Sequence, residues 1–186
     1  VLCSAGIHGP EFIATRVAMG VLEAAARRDW ATEVELWVIP CLNPDGYAQT
    51  WEQAGSGTLA QLRTNAAGVD LNRNFPRPGA PDSSASWVPG AGSAVEGRAT
   101  YRGPHPLSEP ETAMLDDLLT QWNFHASANL HSFMGTLIPA RVRDRASFQG
   151  YKQLTRAFSR AQPGTAYRRL SSRLFDVFTG EQEDHQ

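Results

Sequence analysis

The sequence predicts an α/β protein organised on a parallel sheet, in a single domain over residues 1–186. Three observations predict it. Val1 to Cys3, Phe12 to Arg28 and "VELWVIP" (34–40) read in turn as strand, helix and strand, the pattern of a parallel βαβ unit. After a long loop the alternation resumes, with a helical stretch opening near Leu107 and a strand-like run at 124–133. The chain has 186 residues, enough for one sizeable core, and shows neither an internal repeat nor a second domain.

The elements follow from local pattern. Val1 to Cys3 is the end of a buried strand. In the first helix Ile13, Val17 and Val21 fall on one stripe, with Ala18, Leu22 and Ala25 beside it and Arg16, Glu23 and Arg27 on the other side. The run at 34–40 is β-rich and closed by Pro40, and it reads as a second buried strand. "NPDG" (43–46) carries strong turn chemistry. Residues 55–104 are rich in Gly, Pro, Ser and Ala and read as long surface loops, which in a compact domain are usually functional. Ser108 is the expected N-cap of the next helix, with Glu111 completing a capping box. "FHASANLHSF" (124–133) reads as a strand ending at a histidine and "GTLIP" (135–139) as a short extended piece. Ser147 is the expected cap of a last helix reaching about Ala161.

Composition excludes some function classes. The formal net charge is -2, so there is no basic footprint for nucleic acid. No apolar run approaches the ~20 residues that span a bilayer. There is no secretory signal, but the chain starts at Val1 inside a strand-like run, so a trimmed or incomplete domain is expected and the compartment stays open. Cys3 and Cys41 sit in or beside apolar runs and read as buried free thiols, with a disulfide open if their strands are neighbours.

The chemistry-bearing residues gather where strands end. His8 and Glu11 lie between the first strand and the first helix, and His131 ends the later strand. In open α/β sheets, ligands collect at such ends. Each residue alone has a plainer reading: a surface histidine, a glutamate favoured by a helix N-terminus, a hydrogen-bonded histidine at a strand terminus. Together, two histidines and a glutamate are a catalytic zinc set that leaves a fourth position for water. "LRTNAAGVDLNRNFPRP" (62–78) adds Arg63, Asn72 and Arg73. Arginine pairs with a carboxylate through a two-pronged fork, asparagine can donate to a second oxygen, and an arginine near a metal can stabilise an oxyanion. Arg77 and Arg98 read as solvated loop charges.

H-G-P-E, N-P-D-G-Y, L-R-T-N followed by G-V-D-L-N-R-N-F-P, G-P-x-P-x-S-E-P-E-T and N-L-H-S-F occur in this order. In this arrangement the chain closely resembles the zinc carboxypeptidases of the A/B type, from Ile7 to at least Phe133. The resemblance implies a mixed, mostly parallel central sheet with helices on both faces, here lacking its terminal strands. It implies one zinc ion held by His8, Glu11 and His131. It implies that Arg63 polarises the scissile carbonyl and holds the oxyanion, and that Asn72 and Arg73 hold the terminal carboxylate of a peptide substrate. A cis peptide between Ser132 and Phe133 is also implied.

Two departures qualify this. The family's general-base glutamate has no clear counterpart. Glu181 and Glu183 sit in a polar loop with Asp184, and the base is expected beyond Gln186, leaving the chain alone weakly active or inactive. No tyrosine stands near Asp176, where the family's mobile tyrosine belongs; Tyr167 is too early. Two other functions stay in play. One is a zinc amidase or deacylase acting on small N-acyl amino acids or cell-wall peptides. The other is a metal-binding, non-catalytic homologue.

Overall fold

The structure is a computed structural model that describes residues 1–28, 33–76, 92–132, 134–140 and 144–169. Strand β1 (Leu2–Ala5) is followed by helix α1 (Phe12–Ala26) and strand β2 (Trp37–Ile39). Helices α2 (Pro44–Glu52) and α3 (Leu59–Arg63) come next, then a 3-10 turn at Leu71–Arg73. Helix α4 (Pro110–Gln121), strand β3 (Ser127–Leu130), strand β4 (Thr136–Leu137), helix α5 (Arg145–Ala161) and strand β5 (Arg168–Arg169) complete the order.

The central sheet runs β2-β1-β3, parallel throughout. Leu2 stands opposite Trp37 and Ser127, and Ala5 opposite Leu130. Because side chains alternate along a strand, this register sorts the apolar groups onto two faces. Leu2, Trp37 and Ile39 join Leu42, Leu71, Phe75 and Leu115 of α4 in one cluster. Ala5, Val38 and Leu130 pack on Ala14 and Ala18 of α1 in the other. Helices therefore cover both faces, as the sequence implied. β4 and β5 form a separate two-stranded parallel pair. Among the described residues no helix is long and apolar enough to cross a membrane.

Several local expectations are corrected. The buried stripe of α1 is Ala14, Thr15 and Ala18, whereas Ile13 and Val17 are each 49% exposed. Small side chains win because the helix lies close on the sheet, where a larger one would hold it off. "NPDG" opens α2 instead of making an isolated turn: Asn43 is the N-cap, accepting from the Gly46 amide at 2.9 Å, and Pro44 follows it. The N-cap of α4 is Glu109, and no side chain caps it; Ser108 instead donates its hydroxyl to the Glu109 carboxylate at 2.7 Å. Asp144 caps α5, with the Ser147 amide donating to it at 2.8 Å. Within residues 55–104, α3 and the 3-10 turn give ordered structure to what reads as loop. Cys3 and Cys41 are free thiols, as expected, but only Cys3 is buried; Cys41 is half-buried. The bond before Phe133 and residues Arg77, Asp176, Glu181, Glu183 and Asp184 lie outside the described residues.

Candidate metal centre

The loop between β1 and α1 is built by glycine. Gly6 has a φ of +68°, which turns the chain out of the strand where an L side chain would be strained. Gly9 lies directly on the backbone of α2: a Cβ there would overlap the Gly46 carbonyl and come within 2.6 Å of the Leu62 carbonyl oxygen. Asn43 ties the same elements together, its amide nitrogen donating to the Ile7 carbonyl at 3.3 Å and the Arg63 carbonyl at 3.5 Å. H-G-P-E, N-P-D-G-Y and L-R-T-N are thus three sides of one joint.

That joint presents His8 to Glu11 and, from β3, to His131. His8 Nδ1 lies 2.8 Å from Glu11 Oε1, and His131 Nδ1 lies 2.8 Å from Glu11 Oε2. The two imidazole rings stand 5.1 Å apart. One donor atom from each of the three residues lies within 4.8 Å of the others, and this is the only such group among the described residues. Two imidazole nitrogens and a carboxylate, partly shielded, are a donor set that suits zinc. Glu11 is the N-cap residue of α1, but its side chain does not cap the helix. Ser132 does so from across the sheet: its Oγ accepts from the Ala14 amide at 3.2 Å and donates to the Glu11 carbonyl at 3.2 Å. The Ser132 amide also donates to Glu11 Oε2 at 3.2 Å, orienting the carboxylate. Burial works against ionisation of Glu11, but hydrogen bonds from His131 and His8 prevail and hold it well below the usual carboxylate range.

Asp70 is the residue the sequence reading passed over. It is fully buried, receives His8 Nε2 at 3.2 Å on one oxygen and Arg63 Nε at 2.8 Å on the other. The Asn72 amide donates to it at 3.1 Å, which starts the 3-10 turn. Burial opposes its charge, yet His8, Arg63 and Arg73 keep it below the usual range. Asp70 therefore locks the ring of His8 and the guanidinium of Arg63 to one carboxylate. Asn72 and Arg73 are buried, and Arg73 donates from its guanidinium to the Asn72 carbonyl at 2.6 Å. The only signal for Asp70 was its place in D-L-N-R, beside two candidate residues.

The zinc carboxypeptidase family pattern matches residues 1–170. The chain belongs to the zinc carboxypeptidase family. Members of that family use one zinc ion and are hydrolases. Carboxypeptidase B2 of Rattus norvegicus is 27% identical over 69% of this chain and 30% of its own length. Murein peptide amidase A of Escherichia coli (strain K12) is 37% identical over 63% of this chain and 43% of its own length. The chain spans less than half the length of the curated relatives it matches. Bovine thrombin-activatable fibrinolysis inhibitor, solved with tick carboxypeptidase inhibitor, superposes over 100% of this chain and 66% of its own, with TM-score 0.75 at 20% identity. The murein-tripeptide amidase MpaA from Escherichia coli O157 gives TM-score 0.57 at 25% identity, covering 97% of this chain and 64% of its own. The zinc carboxypeptidase fold expected from the motifs is the observed one.

Proposed function

We propose that His8, Glu11 and His131 hold one zinc ion, and that the site hydrolyses the C-terminal peptide bond of a peptide with a free carboxylate. The observation that carries this is the meeting of Glu11 with His131, 120 residues apart in sequence, on the same imidazole-carboxylate cluster as His8. Zinc held there would supply a Lewis acid and lower the pKa of its water. Arg63 has its Nε fixed on Asp70, so its guanidinium is oriented in advance to receive negative charge on the scissile carbonyl oxygen. Asn72 and Arg73, held in a buried 3-10 turn, would bind the terminal carboxylate; that contact would restrict cleavage to chain ends. The general base falls to a carboxylate outside the described residues.

A second reading has its own support. The murein peptide amidase relative is more identical to this chain than the carboxypeptidase relatives reported, so the same centre acting as an amidase on cell-wall peptides is the alternative. The full-length protein, assayed on a peptide with a free C-terminus, its C-terminally amidated form and a murein tripeptide, separates the two. Carboxypeptidase action requires that the amidated peptide resist cleavage. Preference for the murein tripeptide favours the amidase. Zinc content should be one ion per chain in wild type and none in His131→Ala; unchanged zinc in that variant overturns the site.

A further inference from the structure

Asn129 stands directly across from Ser4 in the β1-β3 register, and its amide nitrogen lies 3.0 Å from His131 Nε2. Its oxygen accepts from the Ser4 hydroxyl at 3.4 Å, and Ser4 is fully buried. An amide N–H can only donate, so Nε2 of His131 accepts. The ring proton then sits on Nδ1, where it faces Glu11 Oε2 at 2.8 Å. Nδ1 is also the atom that meets the cluster. We propose that Asn129 is a positioning residue that serves both tautomers of His131, turning its amide when a cation takes Nδ1. This rests on the zinc reading above.

The requirement follows from the ring. For a cation to take Nδ1, solvent removes the proton there and returns one at Nε2, so the ring keeps a single proton. Its charge does not change. The Asn129 oxygen can accept that Nε2 N–H after a half-turn of the amide. Ser4 can follow the turn, because a hydroxyl accepts as well as donates. His8 needs no such partner: its Nε2 already faces an acceptor, Asp70. Partners of this kind orient metal-binding imidazoles and change metal affinity by about 10–100-fold.

The test pairs nitrogen-15 NMR of the His131 ring with zinc affinity measured by chelator competition. Chelator-treated wild type should show the proton on Nδ1, and zinc-loaded wild type on Nε2. Asn129→Leu, which matches the shape but cannot hydrogen-bond, should bind zinc roughly tenfold more weakly. Asn129→Asp accepts only; it should hold a proton on Nε2 before zinc arrives and bind zinc at least as tightly as wild type. An Nε2 proton in chelator-treated wild type, or equal weakening in the Leu and Asp variants, overturns the role of the amide. In that case zinc bound by wild type and lost in His131→Ala leaves the metal reading standing. Wild type that binds no zinc ends both.

Discussion

His8 and His131 bring the same atom, Nδ1, to the same carboxylate, yet they are held in opposite ways. His8 has a side chain 3% exposed, and its far nitrogen faces a fully buried aspartate that also grips Arg63. The His131 side chain is 29% exposed, and its far nitrogen meets a neutral amide. One half of the centre is fixed by charge inside the core. The other is fixed by a strand register and one adaptable hydrogen bond. The difference teaches that the core builds His8, Arg63 and the 3-10 turn as one rigid block, and β3 adds His131 to it.

The sharpest way to break the comparison is to remove the charge from the rigid half. Asp70→Ala leaves His8 and Arg63 without their shared anion. Loss of one member of a buried charge cluster typically costs about 3–5 kcal/mol, so urea unfolding should show a loss of that size; less than about 1 kcal/mol would mean the block is held by packing alone. Gly9→Ala should come next, at about 1–3 kcal/mol for forcing α2 away from the His8 loop. A neutral result there would show that the backbone contact yields freely. On the His131 side, Ser132→Ala removes the cap of α1 and should cost about 1 kcal/mol.

Acid sharpens the contrast further. Asp70 and Glu11 are both depressed in the fold, so the unfolded chain takes up protons before the folded one does. Their contribution is complete above the unfolded values, near 4, and is lost as pH falls through the folded ones. Chelator-treated protein should therefore lose stability progressively below about pH 5, and Asp70→Ala should show a shallower loss. Parallel pH curves for the two proteins would exclude Asp70 as a source of acid sensitivity.

Much of this was legible in the sequence, for identifiable reasons. His8 and Glu11 are local, three positions apart beside a helix start, and His131 closes a strand with a clear β signature. The parallel strand order was legible because strand and helix alternate. Asp70 was not, because its role depends on which loop passes beneath His8, and no periodicity records that. Ser132 was hidden for the same reason: it caps a helix 118 residues away in sequence. "NPDG" misled because Asn, Pro and Gly serve a turn and a helix start equally well. Ile13 and Val17 misled because pattern reading favours large apolar groups, while the close approach of α1 to β1 admits only small ones, Ala14, Thr15 and Ala18.

The span between Glu11 and His131 also bears on biosynthesis. A nascent chain leaving the ribosome with β1, α1 and β2 already exposed displays an imidazole and a carboxylate but no third ligand. Closing so long a loop is slow relative to local helix formation. Under the zinc reading proposed above, capture of the ion waits until translation has passed Ser132 and β3 has docked, so the centre is loaded after β3 joins the sheet and not on the first βαβ unit.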